Sequence, residues 1–332
     1  MGEERALSIS RRTFLAGALS ALWATRGAAE PRQVGTLRRV AGLGGPPGSN
    51  QCWKLFRDRL GALGWRQGRE VHFAWRRVDL GQLPDLAREM VEDDVDLIVA
   101  GATSASLAAR DATRRIPIVF VAVGDPLGTG LVDSLARPGR NVTGVSSFGP
   151  ALFGRQLQLL REAIPKGTRV TVLWNPANAG HGRLLLGDAE SAARALGLAL
   201  RLLAARGPDE LEPLFSGISK ATADGVLVLD DILFSLHRER IVELAAATGL
   251  PAMHGAAEHA EAGGLMALAP AAEDQWERAA VLVDRILRGA APGDLPVEQP
   301  ARFTLAINLG TARTLGLRLR PSLLRRADRL IE

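Results

Sequence analysis

Short apolar runs alternate with amphipathic stretches along most of the chain. Val34–Leu37, Val71–Trp75, Asp96–Ala100 and Ile118–Ala122 read as strands. The stretches at about 51–63, 82–93 and 104–113 read as helices from their apolar spacing. Runs such as Leu97-Ile98-Val99-Ala100 lack polar alternation, which suits a parallel sheet buried on both faces. The pattern then restarts. Val170–Trp174, Ala199–Leu203, Gly225–Leu229 and Pro251–Met253 read as strands, with helices at about 182–196, 208–219 and 235–248. In each half an Asp (Asp96, Asp224) enters a buried strand, and a Pro (Pro117, Pro251) opens the next strand after a helix.

This βαβ alternation predicts an α/β fold of two doubly wound, Rossmann-like lobes. The glycines and Ser146-Ser147 of Asn141–Pro150 mark the junction. Further elements follow: a strand at Leu265–Leu268, a helix at Trp276–Leu287, a strand at Arg302–Ile307 and a helix at Thr311–Leu317. They exceed what two plain halves require, so the chain is expected to recross between lobes and form a hinge. The predicted division is a leader at 1–29, one lobe at 30–145 plus about 269–301, and a second at 146–268 plus about 302–332.

The leader changes the picture most. Ser10-Arg11-Arg12-Thr13-Phe14-Leu15, the short apolar run Ala16–Ala24 and the small residues Gly27-Ala28-Ala29 read as a twin-arginine signal peptide. The mature protein is therefore expected in the periplasm. Of 332 residues 47% are hydrophobic and 23% charged, which fits a globular chain. The net charge of +5 becomes +3 once four arginines and two acids leave with the leader. Only Lys54, Lys166 and Lys220 among 41 basic residues are lysine, and the arginines are scattered among acids, so no nucleic-acid partner is expected. Cys52 is the only cysteine, which forbids an internal disulfide, and it lies too far from the leader to be a lipid-anchored N-terminus.

Several blocks carry a family resemblance. Gly124-Asp125-Pro126-Leu127-Gly128-Thr129-Gly130-Leu131-Val132 leads through Ser134–Arg137 to Pro138-Gly139-Arg140-Asn141-Val142-Thr143-Gly144. Leu63-Gly64-Trp65 with Gly68-Arg69, Leu173-Trp174-Asn175-Pro176, Gly263-Gly264-Leu265-Met266 and Ile307-Asn308-Leu309-Gly310-Thr311-Ala312 join it. Across about 34–330 the chain resembles the ABC-transporter substrate-binding protein family that includes tryptophan-binding, TrpX-like members. The resemblance implies a type I periplasmic-binding fold, closure of two lobes on a ligand, and delivery to an inner-membrane permease with its ATPase. Glu70 stands where the family commonly has Asn. The loop Arg38–Asn50 is unusually basic and then rich in Gly and Pro. Ala267-Leu268-Ala269 occupies a region where a Tyr is frequent, and the chain has no tyrosine. The ligand's identity therefore stays open between an amino acid and a related carboxylate.

Candidate ligand residues follow from where open α/β sheets bind, beyond the carboxyl ends of strands. Thr103 and Ser104 open a helix after a buried strand and suit a ligand carboxylate or a helix cap. Asp125 suits a ligand ammonium or a turn. Ser146 and Ser147 suit ligand or crossing strands. In the second half Trp174, Asn175, Asp230 and Glu258 complete the set, with Asp231 capping the helix that follows.

Enzyme readings find less. His254 and His259 are five apart, not the four of a zinc-protease helix, so no metal is expected. Gly144-Val145-Ser146-Ser147-Phe148 lacks the last glycine of a nucleophile elbow. Gly42–Gly48 is a glycine cluster without a dinucleotide context. No cofactor and no catalysis are expected, and the chain reads as a monomer. The alternatives are an exported enzyme or a ligand sensor on the same fold.

Overall fold

The computed structural model describes residues 37–44, 49–76, 80–147, 150–186 and 189–332. The stretch 1–29, read above as a leader, lies outside them. The chain opens with β1 (Arg38–Leu43), α1 (Ser49–Ala62), β2 (Val71–Arg76), α2 (Leu83–Glu92), β3 (Leu97–Gly101), α3 (Ala102–Ala112), β4 (Ile118–Val123) and β5 (Val142–Ser146). It continues with α4 (Pro150–Ala163), β6 (Arg169–Trp174), α5 (Ala179–Leu186), α6 (Ala189–Ala195), β7 (Ala199–Ala204), α7 (Leu211–Ser216) and β8 (Gly225–Val228). Next come α8 (Ile232–Leu236), α9 (Arg238–Ala247), β9 (Ala252–His254), α10 (Ala257–Glu261), β10 (Met266–Pro270) and α11 (Ala272–Leu287). β11 (Phe303–Asn308), α12 (Leu309–Thr314), α13 (Pro321–Leu324) and β12 (Arg329–Ile331) finish it.

Among the described residues the strands form two sheets, ordered β2-β1-β3-β4-β5 and β12-β11-β10-β9-β8-β6-β7. All pairs are parallel except β10 with β11. The two sheets define two lobes. Both faces of the first sheet are covered, which is why its strands lack polar alternation. Ala41, Leu43, Ile98, Ala100, Ile118 and Phe120 pack on Leu83, Ala87 and Met90 of α2 and Ala105 of α3. Val40, Leu97, Val99, Val119 and Val121 pack on Trp53 and Phe56 of α1 and on Trp276 and Val283 of α11. The second sheet is built alike. Val170, Val172 and Leu227 meet α4 and α6 through Phe153, Leu157 and Ala193, while Leu173, Val226 and Val228 meet Phe215, Phe234 and Ile241. Each Val, Leu, Ile, Phe or Met among these contributes roughly 1.5–3 kcal/mol on burial.

Three strands differ from the sequence reading, one of them β12, which pairs with β11 where no strand was expected. Residues 34–36 of the first expected strand lie outside the described residues; Leu37 is 43% exposed, and β1 runs from Arg38. The chain there follows Val40, Ala41 and Leu43 into the core. β5 lies within the stretch read as a junction. Its Gly144 is required, because a Cβ there would sit 2.2 Å from the Phe120 carbonyl oxygen of β4. A buried strand that needs Gly, Thr and Ser for close approach and cross-linking bonds loses its apolar signature.

The chain passes between the sheets after β5, after β10 and before β11. These passages are bonded together. The backbone N–H of Ser146 donates to the carbonyl of Glu298 (2.9 Å), that of Glu298 to Gly144 (2.9 Å), and that of Ala271 to Arg302 (2.9 Å). The Thr143 hydroxyl donates to the Leu295 carbonyl at 2.8 Å, and the Gln275 amide to the Ser146 carbonyl at 3.2 Å.

Candidate functional site

A cavity of about 110 Å³ lies between the carboxyl ends of the two sheets. That is several times the roughly 10–15 Å³ a single water needs on the same measure. Gly101 at the end of β3 and Ala102 at the start of α3, with Val121 and Ala122 of β4, form the wall from the first sheet. Cys52 of α1 and Ala272, Gln275 and Trp276 of α11 extend it. Asp230 and Ile232 after β8, Ser235 of α8, Ala256 after β9 and Glu258 of α10 face them from the second sheet.

The backbone of the first wall is strained. Ala102 (φ 70°) and Ala122 (φ 60°) both occupy the left-handed region, which costs a residue with a Cβ on the order of 1–3 kcal/mol and concentrates at functional sites. At Ala102 this bend starts α3, whose N-cap is Gly101 with no side-chain cap bond. Thr103 and Ser104 are thus first-turn residues rather than caps. Thr103 is buried and Ser104 half-buried, beside the wall that Gly101 and Ala102 form.

The opposite wall is acidic. Burial, then Glu258 and Asp231, push the half-buried Asp230 carboxyl up to about 7. Burial, then Glu258 and Glu273, push the Cys52 thiol up to about 12, so it stays protonated and poorly nucleophilic. A cation entering the cavity would relieve both.

Asp230 stands on a buried polar scaffold. Asp231 accepts from the side-chain amides of Asn175 (2.9 Å) and Asn178 (2.8 Å) and caps α8 by accepting from the Leu233 N–H (2.9 Å). His181 Nε2 donates to the Asp230 carbonyl at 2.9 Å, while its Nδ1 accepts from the Asn175 N–H at 3.2 Å. Both contacts need the neutral imidazole, and burial depresses the pKa of His181 accordingly.

Of the sequence candidates, Asp230 and Glu258 line the cavity. Thr103 and Ser104 adjoin its wall, and the remaining five sit elsewhere. Asn175 is bound into the Asp231 scaffold, and Trp174 packs against the apolar core of the second sheet. Asp125 accepts from the Gly128 N–H at 2.7 Å, holding the turn after β4. Ser146 donates to the Glu298 carbonyl at 3.3 Å, and the Ser147 N–H donates to Val123 at 2.9 Å, so both belong to the passages between sheets. The sequence reading passed over Cys52, Ala122, Ser235, Gln275 and Trp276. Trp276 heads an amphipathic helix and reads as core, and nothing local in the sequence shows the bend at Ala122.

His254 and His259 lie on β9 and α10, not one helix, and their rings stack with centroids 4.9 Å apart. Both ring nitrogens of His254 are buried without a hydrogen-bond partner, while the His259 ring lies against the backbone of Phe234 and Ala256. Among the described residues no group of three or more His, Cys, Asp or Glu is placed to hold a metal.

Two α/β lobes joined by bonded passages, with a cavity at the facing strand ends, define the type I periplasmic-binding fold. Comparison with known proteins agrees, and the family model described as "ABC transporter substrate binding protein" matches residues 46–331. The chain belongs to that family. A tyrosine-binding protein of Clostridioides difficile (strain R20291) is 33% identical over 131 residues, 39% of this chain and 37% of that protein. The match thus spans little more than a third of that relative's length. Among solved structures, a conserved domain protein from Vibrio cholerae superposes with a TM-score of 0.83 at 27% identity, over 89% of this chain and 100% of the other. The ABC domain in complex with L-Trp from Streptococcus pneumoniae gives a TM-score of 0.82 at 23% identity, with the same 89% and 100% coverage.

Proposed function

We propose that this chain is the solute-binding component of an ABC importer, exported to the periplasm by the twin-arginine route. In this reading it holds a small organic solute, an amino acid or a related amine-bearing carboxylate, between its lobes and passes it to a permease with an ATPase. The lobes are 30–145 with about 269–301, and 146–268 with about 302–332, acting as a monomer. The observation that carries the reading is the cavity between the facing strand ends, acidic at Asp230 and Glu258. The ligand ammonium would meet those carboxylates. Its carboxylate would meet the free N–H groups of the first turn of α3, where the dipole end is positive. Trp276 would pack on its apolar part. The partial match to a tyrosine-binding protein supports an amino-acid class. Contacts from both lobes are stronger when the lobes are together, so ligand shifts the population to the closed form.

Thermal unfolding of the mature chain, stripped of carried ligand by unfolding and refolding, tests this against amino acids, aromatic acids, nucleobases and sugars. A ligand bound only by the native state at about 100 times its Kd adds roughly 2.7 kcal/mol. A saturable rise with amine-bearing acids is expected. Saturable binding of sugars or nucleobases alone, or no response to any of the panel, would contradict the reading.

A further inference from the structure

The turn that opens α5 touches the opposite lobe. A Cβ built on Gly180, which follows β6, would lie 3.4 Å from the backbone nitrogen of Asp125 and 3.7 Å from its Cβ. Asp125 follows β4 of the first sheet, so this is a contact between lobes, made by residues outside the cavity wall. The same turn is rigid. The Gly180 N–H donates to the Asn178 side-chain oxygen at 3.1 Å, and the Asn178 amide donates to Asp231 at 2.8 Å. The next residue, His181, is 5% exposed and holds the Asp230 carbonyl at 2.9 Å.

We propose that this turn is the closure latch: Gly180 seats against Asp125 of the facing lobe, while His181, through the Asp230 backbone, ties that seat to the carboxylate lining the cavity. Gly180 and His181 are positioning residues, since neither lines the cavity. The proposal rests on the two-lobed binding reading. A seat that forms only in the closed form adds to the differential stability on which ligand-driven closure depends. A side chain larger than methyl at position 180 has no room, because Asn178 Oδ1 already lies 3.3 Å from the built Cβ. His181 donates to the Asp230 carbonyl through Nε2, and only while neutral does its Nδ1 also accept from the Asn175 N–H. The charged or titratable groups around this link are Asp231 behind it, Glu258 on the same wall as Asp230 and Asp125 across the lobes.

The latch can be trapped without knowing the ligand. The separation of 3.7 Å falls within the roughly 3.5–4.5 Å that disulfide Cβ atoms span. The D125C/G180C variant of the mature chain, oxidised in solution, is therefore expected to form an intrachain disulfide, seen as faster non-reducing migration. Either variant with one added cysteine, which still carries the native Cys52, should show none. X-ray scattering should then give a smaller radius of gyration than for the same protein after reduction. H181A in that background should slow crosslinking about tenfold, whereas G180V alone should fold normally and give a larger radius of gyration than wild type. No crosslink in a folded D125C/G180C protein, or a crosslink as fast with H181A as without it, would overturn the latch. These readouts need no ligand, so a chain that crosslinks yet binds no solute refutes the binding reading and not the contact.

Discussion

In the proposed site, Asp230 is the single residue that would carry the chemistry. Without a counter-charge its carboxyl is pushed up to about 7 by burial, Glu258 and Asp231. A carboxyl raised in the folded state keeps its proton from its ordinary range up to that value. A ligand ammonium favours the ionised form, so it must displace a proton at lower pH. Affinity is therefore expected to rise with pH, by at most tenfold per unit below about pH 7, and to level off above it. Titration calorimetry between about pH 5.5 and 8.5 reads this directly. D230N removes one charge-assisted bond of about 1.5–3 kcal/mol, a loss of roughly 10- to 100-fold in affinity, and should also flatten the profile. A D230N protein that binds as tightly as wild type with the same pH slope would dismiss this carboxylate from ligand binding. Asp230 was legible because it follows a buried strand directly, where open sheets bind. Trp276 was not, because its helical spacing is that of a core residue and its neighbours confirm only burial.

At the scale of elements, β9 and α10 are clamped by the stacked imidazoles of His254 and His259. Burial and the neighbouring His259 hold His254 well below the ordinary histidine range, and burial holds His259 down to about 4. A histidine depressed in the folded state takes its proton first in the unfolded chain. The stability this pair supports is present above about pH 6.5 and is lost as pH falls from there towards 4. The thermal midpoint should therefore drop steeply across that window, and H254F/H259L should reduce the slope. An unchanged slope in a folded double variant would assign the acid sensitivity to other groups. This pairing could not be read along the chain, because spacing on a helix says nothing of a ring on a strand meeting one on the helix after it. The parallel strands with apolar residues on both faces were legible for the opposite reason, that one run reports both contacts. β5 was hidden by Gly144, whose lack of a side chain is what admits the Phe120 carbonyl.

For the whole molecule, the repeat of the βαβ pattern foretold two sheets, and the surplus of elements after β9 foretold the recrossing chain. The arrangement of the lobes around a cavity was not legible, since it depends on bends such as those at Ala102 and Ala122 and on contacts between distant turns such as Gly180 with Asp125. In the proposed function, ligand binding and lobe closure are one coupled event. X-ray scattering of the mature chain, ligand-free and then saturated with the amine-bearing acid that stabilises it most, tests this directly. The predicted result is a smaller radius of gyration with ligand, following the same concentration dependence as binding. A radius of gyration that stays constant through saturation would contradict closure.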